Sequence, residues 1–142
     1  PPAQPQRVHT SPWLGGVNAV IDYNRLPGLK GIYLEDSYAL EITESPSTVA
    51  FRIDAVLTPE HPAYRPPLQG EHYCFALASL IFPDATRVEW ISRHDRQYRD
   101  ATGERDLGSI DVLEVQDDLY AVEGDWGRIR IRASQRYVKL AG

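Results

Sequence analysis

The sequence predicts an all-β fold: seven or eight consecutive antiparallel strands forming an up-and-down barrel or a two-layer sandwich, after an irregular N-terminal arm. Three observations carry this reading. Short runs alternate apolar with polar residues, clusters of Pro, Gly, Asp and Ser separate them, and no stretch after residue 31 shows an amphipathic helical period. The 142 residues suit one domain, and 42% hydrophobic against 25% charged residues is a globular composition. A chain of this length buries roughly 68–70% of its unfolded surface, enough for one core.

Residues 1–31 read as the arm, because Pro1, Pro2, Pro5, Pro12 and Pro27 with Gly15, Gly16, Gly28 and Gly31 leave little room for regular structure. Within it, Val17–Leu26 fits a short helix or an edge strand, with Trp13, Leu14, Val20 and Ile21 pinning it to the body. Residues 32–142 read as a single antiparallel β domain. The first hairpin is Ser37–Leu57. A four-residue loop, Glu44-Ser45-Pro46-Ser47, pairs Ile42 with Val49, Leu40 with Phe51 and Tyr38 with Ile53, all on one core face. Thr58–Gly70 holds four prolines in thirteen residues, so it is a crossing loop.

His72–Phe82 is apolar on both faces, as befits a central strand covered on both sides. Pro83–Thr86 then turns into a strand from Arg87 to Arg93, placing Trp90 opposite the small Ser79. After a second polar loop, Asp95–Gly108, comes a three-stranded meander. A two-residue loop at Asp117-Asp118 sets Val115 against Tyr120 and Leu113 against Val122. A type II′ turn at Gly124-Asp125 sets Tyr120 against Ile129 and Val122 against Gly127. Both turns put Leu113, Val115, Tyr120, Val122, Ile129 and Ile131 on one face. Tyr137–Leu140 offers an eighth strand.

Composition excludes several functions. A net charge of -5 repels nucleic-acid phosphates, so no nucleic-acid partner is expected. No apolar run approaches the ~20 residues that cross a bilayer, and no signal peptide is evident. The single cysteine, Cys74, forms no internal disulfide, which points to a reducing, cytoplasmic location and removes any Cys-based zinc framework. The chain has no methionine, so Pro1 is not the initiator.

Charge is uneven in the last third. Residues 104–125 carry eight acids against one arginine, and residues 126–142 carry five bases and no acid. Cross-strand pairing on a solvated face accounts for this. A sharper feature is the row Trp126, Arg128, Arg130 and Arg132, which the register places opposite the core face. Tryptophan and arginine dominate binding hot spots. The alternative is that Trp126 folds over its own hairpin while the arginines pair with neighbouring acids. The loop residues His61, Tyr64 and Arg65 form a second candidate contact surface. Glu60-His61 and Glu71-His72 offer metal-ligand types without a metal-ligand spacing, so neither metal nor cofactor is expected. His72 and Cys74 share a strand face, but roughly 6–7 Å apart they are too distant for an activated nucleophile, and no catalytic residue is assigned.

The runs LEDSYALEI, LTPEHPAYRPP with GEHYC, ATGERDLGSID and YAVEGDWGRIRI resemble a family of small uncharacterised bacterial proteins, mainly actinobacterial, over about residues 31–133. The resemblance carries no catalytic residue. More loosely, a small acidic β-rich domain ending in a GDWG hairpin is similar to immunity proteins that neutralise polymorphic toxins. The sequence therefore reads as a non-enzymatic protein-binding module, immunity-like or regulatory, acting through an exposed β-surface. The rival reading is a β-barrel that binds or transforms a small molecule in an internal pocket, with His72, Tyr73 and Trp90 as polar fixtures. Oligomeric state is not legible.

Overall fold

The computed structural model describes residues 19–94, 98–99 and 105–141. In chain order the strands are β1 (Ile21–Asp22), β2 (Ile32–Ser45), β3 (Thr48–Leu57), β4 (Cys74–Phe82), β5 (Arg87–Arg93), β6 (Tyr98–Arg99), β7 (Arg105–Asp106), β8 (Gly108–Gln116), β9 (Leu119–Gly124), β10 (Gly127–Arg132) and β11 (Tyr137–Leu140). Among the described residues there is no α-helix, only a 3₁₀ turn at Tyr23–Arg25 that Asp22 caps by accepting the Asn24 N–H. No helix is long and apolar enough to cross a membrane among them.

The fold is all-β and antiparallel, in one open sheet ordered β11-β4-β3-β2-β8-β9-β10-β5, with β1 beside β8 and β6-β7 as a separate ladder. The sheet doubles over, so that β3 and β4 cover the β9-β10 hairpin. The Phe51 ring lies 5.3 Å from Trp126, and Phe82 lies 4.9 Å from Tyr120. These four side chains are all buried, and with Leu34, Ile53, Leu80, Ile110, Leu113 and Ile131 they occupy the space between the layers. Alternation along each strand puts this set on the inner faces. The sheet is not closed by hydrogen bonds. Where β2 ends over β5, side chains make the contact: Glu44 Oε2 accepts from Trp90 Nε1 at 3.0 Å and from Arg93 at 3.4 Å.

The end of the N-terminal arm is a core element. Tyr23, Leu26 and Leu29 are buried, Val20 is half-buried, and Trp13 and Leu14 lie outside the described residues.

The first hairpin differs in register from the expectation. Ser45 pairs with Thr48 across Pro46-Ser47 alone, so Ile42 faces Phe51 and Glu44 faces Val49. A slip of two keeps the same face inward. A bulge between Ala39 and Glu41 then reverses the alternation. Ala39 takes the inward place opposite Ile53, Leu40 is half-buried, and Tyr38 is 41% exposed rather than in the core.

A second irregularity spans Tyr33 to Tyr38. There the buried Ser37 hydroxyl accepts from Val56 N–H and donates to the Tyr33 carbonyl, both at 2.8 Å, in place of the missing ladder bonds. Ser37→Ala strands two buried backbone groups and should cost roughly 1–3 kcal/mol, measurable as a fall in the urea midpoint at unchanged slope.

β4 is one strand in from the edge. Cys74, Ala78, Leu80 and Phe82 are buried, but Phe75, Leu77 and Ile81 are half-exposed, so the strand is covered on one face only. Ser79 pairs with Lys139 of β11 and Arg52 of β3, which leaves β4 no free edge for the following strand. The chain therefore crosses at Pro83–Thr86, with Asp84 at φ 52° and Thr86 N–H bonded to the Arg132 carbonyl. β5 joins β10 instead, and Trp90 stands opposite Ile129 rather than Ser79.

The β8-β9 hairpin has the expected register, Val115 against Tyr120 and Leu113 against Val122. Asp117 at φ 57° adopts the left-handed conformation that Asp tolerates. The next turn moves by one residue and its register by two: Gly124 pairs with Gly127 across Asp125-Trp126, and Val122 faces Ile129. Even-numbered slippage preserves the core face, and Ile129 and Ile131 are buried as expected. Trp126, however, moves from the outer row into the turn.

Candidate functional site

Trp126 is 1% exposed, packed against Phe51 and edge-on to Trp90 at 5.9 Å. This corrects its placement in an exposed row. Two glycines make the burial physically accessible. A Cβ at Gly124 would fall 2.5 Å from the indole Nε1, and Gly127 at φ 133° turns the chain back where another residue would be strained.

The arginines remain on the outer face. Arg132 stands directly opposite Arg87, Arg130 opposite Glu89, and on the other side Arg128 opposite Glu123 and Arg132 opposite Leu119. Arg87, Glu89, Leu119, Arg130 and Arg132 line a shallow depression of about 140 Å³. That is below the roughly 300–1,000 Å³ of a typical small-molecule pocket but of the scale of one charged group. Arg132 pairs with Asp118, and Arg128 with Glu123 at 3.8 Å. Such exposed pairs contribute at most about 1 kcal/mol. Among the described residues, Arg87 and Arg130 have no ion-pair partner. Like charges placed directly opposite across two strands are destabilising, so Arg87 against Arg132 works against the fold.

Arg87 was not among the expected residues. With β5 placed beside β4 it stood far from the arginine row; only the pairing of β5 with β10 brings them together.

The proline loop is internally satisfied. Arg65 reaches Glu71 at 3.1 Å and the Pro66 carbonyl, Glu71 also accepts the Leu68 N–H, and these bonds hold the Glu71 carboxyl below its usual range. His61 Nδ1 accepts the Ala63 N–H, and Tyr64 packs on the core. His61, Tyr64 and Arg65 thus close the loop on itself. No group of three or more metal-ligating side chains occurs among the described residues.

His72, Tyr73 and Trp90 do not converge on one site. His72 and Tyr73 adjoin each other outside β4, with rings 4.7 Å apart, and Tyr73 donates to Asp36 at 2.6 Å. Trp90 lies on β5, its ring under the Arg93 guanidinium at 4.3 Å. Cys74 is buried and His72 exposed.

Among the described residues, Tyr23, Tyr73 and Tyr120 have raised pKa values. Burial is the main cause at Tyr23, reinforced by its hydrogen bond to Glu35; burial also dominates at Tyr120, and the hydrogen bond to Asp36 at Tyr73. A raised pKa means the unfolded chain loses these protons first. Stability is therefore intact below the ordinary tyrosine value near ~10 and falls as pH rises above it. Thermal midpoints followed from pH 8 to 11.5 should show this decline, and Tyr23→Phe should flatten it.

The chain matches no protein-family model, no curated protein and no solved structure.

Proposed function

We propose that this chain is a non-enzymatic binding module that receives an acidic segment of a partner protein on the outer face of β9, β10 and β5. Arg87 supplies a guanidinium that faces Arg132 rather than an acid, Arg130 and Arg132 supply the other two, with Glu89 opposite Arg130, and Leu119 adds an apolar floor. The observation that carries the reading is the grouping of three arginines around one depression in a chain of net charge -5. Guanidinium forks bind carboxylates bidentately, and an acidic partner would offset the repulsion between Arg87 and Arg132. Glu89, Asp118 and Glu123 interrupt the patch and disfavour a continuous phosphate backbone. Holding an acidic partner in this way suits a regulatory or immunity-like role.

The test compares the full chain with Arg87→Glu/Arg130→Glu for binding of a labelled oligoglutamate peptide. Charge reversal should weaken binding about tenfold or more, equivalent to roughly 1.4 kcal/mol, with cooperative thermal unfolding retained. Raising the salt from 50 to 300 mM should weaken the wild type too. Equal binding by both proteins, or preference for duplex DNA over the peptide, overturns the reading.

A further inference from the structure

The opposite layer carries a surface of different character. On the outer face of β2, β3 and β4, Tyr33 and Phe75 flank Val56 in register, and Tyr38 and Leu77 flank Asp54. Val56 alternates with the core residues Ala55 and Leu57 and so faces outward, yet it is 2% exposed, because the neighbouring rings lie over it. Tyr38 stacks on Phe75 at 6.4 Å and 25°, and Tyr73 meets Phe75 edge-on at 6.0 Å. Tyr33 and Tyr38 are nonetheless 42% and 41% exposed. Contiguous aromatic area left open to water marks a contact surface.

Polar groups gather on the same platform. The Tyr73 hydroxyl donates to Asp36 at 2.6 Å. That bond is the main cause of the raised Tyr73 pKa, and the Tyr33 and Tyr38 phenols add to it, so three hydroxyls and a carboxylate lie near one another. Asp54 brings a second carboxylate between Tyr38 and Leu77. Among the described residues no lysine or arginine stands in either row, and Arg52, in the next row of this face, is opposite Glu41. Ring faces and carboxylates together attract a cation.

The molecule already contains this arrangement with its cation in place. The Arg93 guanidinium lies over the Trp90 ring at 4.3 Å and bonds to Glu44 at 3.4 Å. A planar guanidinium can stack on a ring and fork to a carboxylate at once, which an ammonium cannot. The open shape of the platform decides the source of that group. Small-molecule sites enclose roughly 70–90% of their ligand, whereas an arginine carried on a chain brings neighbours that exclude water. Along β3 and β4 the two rows are roughly 6.6–6.8 Å apart, the spacing of alternate side chains in an extended peptide.

We infer that the Tyr33, Tyr38, Tyr73 and Phe75 platform receives arginine side chains from an extended basic segment of a partner protein, with Asp36 as the carboxylate that orients the guanidinium. This site is independent of the arginine depression on the other layer.

The test titrates the full chain with a labelled hexa-arginine amide, read by fluorescence anisotropy. Binding should saturate, and should weaken at least about tenfold in Tyr33→Thr/Tyr38→Thr, which leaves the net charge unchanged. Asp36→Asn should weaken it more than Glu60→Gln, which removes the same charge from the proline loop. Hexalysine should bind less tightly than hexa-arginine. Equal binding by the wild type and the tyrosine variant, equal effects of Asp36→Asn and Glu60→Gln, or equal affinity for hexalysine overturns the inference and assigns the attraction to net charge. Saturation by free arginine amide at the affinity of the peptide overturns it in favour of a small cation. Concentration-dependent self-association that is lost in Arg87→Glu/Arg130→Glu overturns it in favour of a second copy.

Discussion

Trp126→Ala should lower stability by roughly 3–5 kcal/mol, the range for deleting a large buried aromatic side chain. Trp126 is 1% exposed and contacts Phe51 of one layer and Trp90 of the other, so its removal opens the space where the layers meet. Relaxation cannot readily fill that space, because the side chain sits in a two-residue turn held at both ends by Gly124 and Gly127. Its Nε1 has no hydrogen-bond partner among the described residues, so Trp126→Phe loses volume alone and should cost less. Arg128→Ala, on the exposed side of the same hairpin, should change stability by no more than about 0.5 kcal/mol. Urea unfolding of the three variants checks the order. A Trp126→Ala cost below about 1 kcal/mol would return the indole to the surface.

Gly127→Ala should rival that effect through backbone rather than packing. Gly127 has φ 133°, and a Cβ there would sit 2.3 Å from the Ser92 carbonyl oxygen and 2.9 Å from the Arg93 Cα. Neither neighbour is a flexible side-chain end; both belong to β5, so relief requires separating β5 from β10. Conformational strain of this kind costs about 1–3 kcal/mol before any clash is counted. The expected outcome is a loss of at least about 2 kcal/mol, with hydrogen exchange rising first along β5 and β10. An alanine variant as stable as the wild type would mean that β5 is not held against this glycine.

Local patterning made the strands legible but not their neighbours. Alternation and turn residues located every long strand, and parity protected the core faces even where two hairpin registers slipped by two residues. Leu113, Val115, Tyr120, Val122, Ile129 and Ile131 are inward in either register. The β2 bulge at Leu40 was invisible, because one extra residue leaves no compositional mark, and it reversed the placement of Tyr38. The pairing of β5 with β10 was also illegible. A short turn such as Pro83–Thr86 suggests a hairpin, and only knowledge that β11 occupies the edge of β4 redirects it. The arginine face was consequently half-readable: Arg128, Arg130 and Arg132 share one strand, but Arg87 reaches them through a non-local ladder. Trp126 failed for a subtler reason. Either glycine of GDWG can serve the turn, and the choice between them decides whether the indole faces water or Phe51.

The most direct test of the binding surface is an NMR titration of the full chain with oligoglutamate, following arginine side-chain and β5, β9 and β10 backbone signals. The reading predicts saturable shifts centred on Arg87, Arg130, Arg132 and Leu119, which weaken with salt and disappear in Arg87→Glu/Arg130→Glu. Shifts spread evenly over all exposed arginines, including Arg52 and Arg65, would contradict it.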